Sequence, residues 1–381
     1  MMRDPVYLDY NATTPVAPEV LDAMLPWLRD QFGNPSSTHP YGRRAAQAVA
    51  TARRQVADLI GAQPQEIVFT GCATEANNLA LLGVAQALGT SRRHLVISAI
   101  EHPAVMAPAM VLREQGWDVT VLPVDPFGRI SLEVFEQSLR VETALVSVMH
   151  ANNEVGTTQP IREIARLTRD RGIVLHTDAA QSAGKLPLNV DELGVDLLTL
   201  AGHKFYAPKG VGALYVRSGT PIRSVLHGAE QEHGLRPGTE SVASVVALGA
   251  AAMAAKRSLP AASEHLREMR DQLHQRLAAA VPDLHLNGHP EHRLPNTLHV
   301  SFPGVSGRAL LGEAAEVVAA SVGSACHSEH DAVSGVLAAM GADAARAAGA
   351  VRLSVGRGTT LEEVARAAEA LVCAWQQMHT R

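Results

Sequence analysis

Between about residues 42 and 217 the chain alternates two kinds of hydrophobic pattern. Short apolar runs at Ile67–Thr70, His94–Ser98, Val119–Leu122, Ala144–Met149, Ile173–His176 and Leu197–Leu200 show no in–out alternation, which predicts strands buried on both faces. Helix-periodic stretches separate them: Gly42–Ile60, with Arg and Gln along one face, then Glu75–Leu88, Pro103–Gln115 and Ile161–Arg171. Such a succession predicts an α/β fold on a mostly parallel sheet. After about residue 240 the texture changes. Thr239–Ser258 and Ala262–Ala280 predict two long Ala-rich helices; strands follow at Thr297–Phe302 and Val351–Val355, and a closing helix at Leu361–Gln377. This second region reads as a smaller α+β domain, with no Pro/Gly linker marking the boundary near residue 255.

Composition narrows the function classes. At 381 residues, 46% hydrophobic and 19% charged, the chain has material for two domains with a sizeable core and is not a disordered chain. Lys+Arg 33 against Asp+Glu 38 leaves a net charge of −5, so no bulk basic face for nucleic acid is expected. The longest clearly apolar run, Val245–Ala255, falls short of the ~20 residues of a membrane span. The opening Met1–Pro5 lacks an apolar signal region, so a cytoplasmic location is expected. Three cysteines, Cys72, Cys326 and Cys373, form no CxxC pair; no metal site is expected, and there is room for one reactive thiol.

In an open α/β sheet, ligands bind beyond the carboxyl ends of the strands. That rule selects Gly71–Thr74, Glu101–His102, His150–Glu154, Asp178–Gln181 and Gly202–Lys204. Lys204 after an apolar strand is either a solvated loop lysine or a Schiff-base lysine. Asp178 at a strand end is either a cap or the partner of a pyridine nitrogen, and its spacing from Lys204 leaves room for a loop, a helix and one more strand. Gly71–Glu75 joins a strand to a helix, as an ordinary N-cap or as a phosphate cradle. Gly210-Val211-Gly212 lacks the context and third glycine of a dinucleotide fingerprint, which argues against a nicotinamide-dependent dehydrogenase.

These segments occur in register with others: Tyr7–Pro15, Ala73–Glu75, Glu101–His102, His150–Gly156, His176–Gln181, Gly202–Lys204, Leu235–Thr239 and Gly323–Cys326. In that order they resemble a cysteine desulfurase of the class V aminotransferase (fold type I) group, from about residue 5 to 375. The resemblance implies a pyridoxal 5'-phosphate enzyme that converts L-cysteine to L-alanine. Lys204 matches the lysine that carries the cofactor, Asp178 the partner of the pyridinium nitrogen, Gln181 the partner of the ring hydroxyl, and His102 the histidine over the ring face, which with Lys204 is a candidate for moving the substrate α-proton. Ala73, Thr74 and His203 match phosphate contacts; Thr239 matches one supplied by the other subunit, which implies a homodimer. Asn153 and Arg352 match the groups that hold the substrate carboxylate, assisted by Asn11, and Asn153 also borders the cofactor. Cys326 matches the nucleophile of the long-loop subgroup, which takes the sulfur as a persulfide and passes it to an acceptor protein. The resemblance therefore divides the chain into a large cofactor-binding domain, residues 15–255, and a small domain, residues 1–14 and 256–381, carrying the nucleophile.

Four departures from that pattern stand out. Ala201 stands where relatives of this kind have Ser, Glu230 interrupts a glycine-richer run, the segment His327–Val336 is rich in His and acids, and the chain ends soon after its last predicted helix. Cys72, too, takes the place of a usual glycine. The short tail implies a specialised acceptor, and the chain resembles the desulfurases serving DNA phosphorothioation, with iron–sulfur cluster assembly as the alternative acceptor pathway. A selenocysteine or cysteine-sulfinate lyase would use the same cofactor; a non-catalytic persulfide relay would have no need of Lys204, Asp178 and His102.

Overall fold

The structure, a computed structural model, describes residues 4–89, 91–323 and 334–379. Its strands are β1 (Val6–Tyr7), β2 (Ile67–Thr70), β3 (His94–Ser98), β4 (Asp118–Leu122), β5 (Thr143–Ser147), β6 (Val174–Asp178), β7 (Leu197–Ala201), β8 (Gly212–Val216), β9 (His285–Leu286), β10 (Thr297–Ser301), β11 (Val318–Ala319) and β12 (Ala350–Ser354). Seven of them form the central sheet, in the order β2-β8-β7-β6-β5-β3-β4, and only β8 runs against the rest. Every residue of β2, β3, β5, β6 and β7 is buried, as their unalternating apolar runs require. The edge strand β4 is instead largely open to solvent: Asp118 and Val121 are exposed and only Leu122 is buried.

Polar residues inside these strands are matched by hydroxyls. The His176 ring meets Ser147 Oγ at 2.8 Å and Thr199 Oγ1 at 3.0 Å, and the His94 ring meets Thr143 Oγ1 at 2.8 Å and Thr120 Oγ1 at 2.9 Å. Burial pushes the His176 pKa down to about 4, so the ring stays neutral and the sheet interior carries no charge there.

A second sheet, β12-β10-β9, is antiparallel, and β1 pairs with β11. Two of the four apolar clusters among the described residues bear on how the sheets are joined. One packs the helix Pro40–Ile60 and residues Val242–Ala255 on one face of the central sheet; the other gathers Leu266, Leu273 and Leu277 with β10, β12 and the helix Leu361–His379.

The helical stretch after residue 240 differs from expectation. It is one helix, Val242–Ala280, of 39 residues, with Pro260 inside it. Its first half belongs to one cluster and its second half to the other, so it spans both. Proline removes an amide donor and crowds the carbonyl four residues earlier, here that of Lys256. Lys256 and Arg257 are exposed, a setting in which water can solvate that carbonyl, and the helix continues. By length and composition it would cross a bilayer, but 61% of its most apolar window is buried inside the fold.

Pro260→Ala therefore restores a helical hydrogen bond and removes a clash. We expect stability to rise by roughly 1–3 kcal/mol in urea titration; an unchanged or lowered midpoint would mean that the chain breaks there.

Candidate active site

Because the strands run parallel, β2, β3, β5, β6 and β7 deliver their following loops to one edge of the sheet. A cavity of about 270 Å³ opens there. Ten residues singled out in the sequence line it: Asn11, Ala73, Thr74, His102, Asn153, Asp178, Gln181, His203, Lys204 and Arg352. Thr239 does not; it is exposed, in a segment tied to the sheet edge through Glu232. Glu232 sits at φ +50, where its carboxylate accepts from both Arg53 Nη atoms at 2.7 and 2.6 Å and from Phe69 N–H at 2.8 Å. Cys326 lies outside the described residues.

Asp178 closes β6 and is buried. Asn77, on the inner face of the helix Ala73–Leu88, donates to Oδ2 at 2.8 Å, and Ala180 N–H donates to Oδ1 at 2.9 Å. Each carboxylate oxygen keeps a lone pair for a further donor. Asn77 Oδ1 is buried with no hydrogen-bond partner among the described residues. Nothing in the sequence marked Asn77; only its position one turn into the helix, facing the end of β6, gives it a role.

At the start of that helix Cys72 occupies the N-cap position but its side chain makes no capping bond. The first-turn amides of Ala73 and Thr74 therefore have no side-chain cap at a helix end that favours anions. Gly212 of β8 packs here: a Cβ on it would come within 2.9 Å of Cys72 C and 3.1 Å of Ala73 N. His203 faces the same cavity, with Nδ1 3.2 Å from Thr13 Oγ1, and burial followed by the charges of Lys204, Lys209 and Lys185 pushes its pKa down to about 4.

Lys204 ends the turn Gly202–Lys204 directly after β7. Its Nζ donates to the carbonyls of Asn11 at 2.5 Å and Ala12 at 2.8 Å. The segment bearing those carbonyls is laced to the turn: Thr14 N–H donates to His203 O at 2.9 Å, and Tyr206 N–H donates to Thr14 Oγ1 at 2.9 Å. Tyr206 is held at φ +74, with Arg357 N–H donating to its hydroxyl at 2.7 Å.

His102 caps the helix Pro103–Glu114, its Nδ1 accepting from Ala104 N–H at 3.1 Å. Desolvation lowers its pKa, reinforced by Lys204 and opposed by Asp178. A neutral ring with Nδ1 used as acceptor carries its proton on Nε2.

Arg352, in β12, is 2% exposed. Nη1 donates to Asn153 O at 3.0 Å and Nη2 to Asp9 Oδ1 at 2.7 Å, while Nε has no partner among the described residues. Of five guanidinium N–H groups, several remain for an anion. Asn11 ties the two regions together, donating from Nδ2 to Thr297 Oγ1 at 2.8 Å and to Asn153 O at 3.2 Å. Asp9 and Thr297 were not foreseen; both act through neighbours. Cys373, in the helix Leu361–His379, is exposed, as is Cys72 at the cavity.

Anion-binding amides and a histidine at one end, a buried carboxylate at the other, and a primary amine beside them suit a phosphorylated pyridine aldehyde. The residues thus fit the cofactor that the sequence resemblance implies. No group of three His, Cys, Asp or Glu side chains suited to a metal occurs among the described residues.

Comparison with known proteins bears on the same point. The family described as aminotransferase class-V matches residues 6–367. A curated relative, cysteine desulfurase IscS of Dictyoglomus turgidum, is 44% identical over 364 residues, covering 95% of this chain and 92% of that protein. Among solved structures, a NifS-like protein superposes with a TM-score of 0.92 at 37% identity, covering all of both chains. SspA in complex with cysteine superposes at 0.82 with 37% identity, covering 93% of this chain and 99% of that one.

Glu101, just before His102, generates a pH prediction. It is fully buried; Ser98 Oγ donates to its Oε1 at 2.5 Å and Met149 N–H at 2.9 Å, while Oε2 has no partner among the described residues. Burial pushes its pKa up to about 8. The folded state thus holds a proton that the unfolded chain releases near pH 4.5, and this group's contribution to stability falls as pH rises from about 4.5 to about 8. Glu101→Gln keeps the acceptor and cannot ionise. Its stability advantage over the parent, by denaturant titration, should grow steadily across that window; a pH-independent difference would show that Glu101 is ionised in the fold.

Proposed function

The chain belongs to the class-V aminotransferase family and is a pyridoxal-phosphate-dependent cysteine desulfurase; on that premise we propose how its residues divide the conversion of L-cysteine to L-alanine. The observation carrying this assignment is that ten residues scattered from position 11 to 352 line one cavity at the strand ends.

Lys204 would hold the cofactor covalently, Asp178 its ring nitrogen, and Gln181 its ring oxygen. Ala73 and Thr74 would hold the phosphate through the uncapped helix start, with His203 beside them, and His102 would cover the ring face. When bound, the cofactor supplies an electron sink for the substrate α-carbon.

Arg352 has donors to spare and would bind the substrate carboxylate, with the side chain of Asn153 beside it and Asn11 holding the Asn153 carbonyl in place. Lys204 Nζ is the group suited to take the α-proton. His102 is not, because its Nδ1 lone pair is committed to Ala104 N–H; its Nε2–H is a donor. The Cys326 thiolate then forms an S–S bond to the substrate sulfur. The substrate Cβ–S bond breaks, and the electron pair left on carbon takes a proton, giving alanine and a persulfide on Cys326. The uncapped helix start and His203, whose pKa is pushed down to about 4, rather than a row of lysines, would face the cofactor phosphate.

The enzyme would act as a homodimer. Thr239 lies outside its own chain's cavity, exposed, as a residue serving the partner's cofactor must be. The helix Pro18–Arg29 exposes Leu21, Leu25 and Leu28 at helical spacing, and Phe32, 79% exposed, stands 5.4 Å from the Tyr41 ring. An apolar surface of that kind supports a partner subunit. The persulfide sulfur would pass to a cytoplasmic acceptor protein, which the net charge of −5 favours over direct contact with DNA.

Lys204→Ala should remove the visible absorption of the cofactor and all alanine release. Cys326→Ser should keep the absorption and lose persulfide and sulfide formation. Arg352→Lys should raise KM for cysteine about 10–100-fold, the loss of a charge-assisted fork. A fully active Cys326→Ser protein would overturn the nucleophile assignment.

A further inference from the structure

Lys185 is a lysine with almost no exposure, in the turn after β6, and the chemistry above does not use it. Its Nζ donates to two oxygens of one residue: Gln181 O at 3.1 Å and Gln181 Oε1 at 3.1 Å. The other end of the same side-chain amide, Gln181 Nε2, donates to Asn11 O at 3.0 Å. That carbonyl also accepts from Lys204 Nζ at 2.5 Å. A chain of contacts thus runs from Lys185 through Gln181 and Asn11 to the lysine of the active site.

The donor inventory decides which way the amide faces. An ammonium only donates, and a carbonyl only accepts. With Oε1 toward Lys185 and Nε2 toward Asn11 O, both contacts are complementary. Reversing the amide sets NH₂ against the lysine N–H groups and oxygen against oxygen at Asn11. Gln181 lines the cavity, and one of its two Nε2 hydrogens remains beyond the bond to Asn11.

We propose that Lys185 is a positioning residue: by donating to both oxygens of Gln181 it fixes the amide so that Gln181 meets the cofactor's ring oxygen as a hydrogen-bond donor. This rests on the reading that Gln181 faces that oxygen. Retaining a lysine here is costly, and the cost points to a role. Burial, followed by the charges of Lys204 and Arg352, pushes its pKa down to about 7, and a methionine would fill similar space without a buried amine. In either charge state the amine still donates to both oxygens.

The consequence is electronic. A donor to a phenolic oxygen favours its anionic form. Without it, the ring oxygen holds more tightly the proton it shares with the lysine-bound nitrogen, and the pH at which the loaded protein changes colour rises.

The test is a pH titration of visible absorption on the cofactor-loaded protein without cysteine, together with the apo protein's dissociation constant for pyridoxal phosphate. Lys185→Met should move the colour midpoint upward by about one pH unit, the scale of a hydrogen bond to a charged group. Gln181→Leu should move it equally, the double variant no further, and Lys185→Arg should restore the parent midpoint. Both single removals should weaken cofactor binding several-fold. Lys185→Leu carries the same test if the methionine variant does not fold. A parent-like midpoint in Lys185→Met beside a shifted Gln181→Leu would overturn the positioning role and leave Gln181 in place. An unshifted Gln181→Leu would overturn the reading of Gln181, and the proposal with it.

Discussion

A carboxylate buried at the end of a central strand must be compensated, and the site is organised around that requirement. Asp178 is placed by β6, deep where neighbouring strands also end. One oxygen is satisfied by a side chain from the helix that follows β2 and the other by its own turn. Lysine and histidine come from the ends of β7 and β3. The anion therefore joins three strand–loop units that are far apart in sequence. A positively charged ring nitrogen would supply the further donor that this carboxylate still has capacity to accept.

The second constraint is the path of residues 9–14. This short segment has little regular structure, yet it bonds the Lys204 turn, Gln181, Asn153, Arg352 and β10. It is where the central sheet and the smaller antiparallel sheet meet. Arg352, proposed to bind substrate, belongs to the smaller sheet, and Lys204, proposed to hold the cofactor, follows β7 of the larger. Their relative placement thus depends on buried polar contacts, chiefly those of Asn11 and Asp9. Polar networks of this kind hold a single geometry when every member is satisfied.

Much of this was legible in the sequence because buried strands leave a strong signal. Ile67–Thr70 and His94–Ser98 appear where their apolar runs stand, and the polar residues after them line the cavity. Strand direction left no such signal. Gly212–Val216, passed over in the sequence, inserts antiparallel between β2 and β7, and Gly212 is there for close approach to the helix start. Two-residue strands such as Val6–Tyr7 are too short for periodicity to mark. Pro260 misled in the other direction, because its effect depends on whether the freed carbonyl meets water. Asn77 and Lys185 were invisible for a common reason: their importance lies in which buried partner they face. Residue type does not encode that.

The central claim is that Lys204, which lines this cavity, carries the cofactor. Borohydride reduction of the purified, cofactor-loaded protein, followed by peptide mass analysis, tests it most directly. The account predicts the mass of the reduced cofactor on the peptide containing Lys204, and on no other lysine. Label on Lys185 or Lys209, or no covalent label on a protein that binds the cofactor, would contradict it.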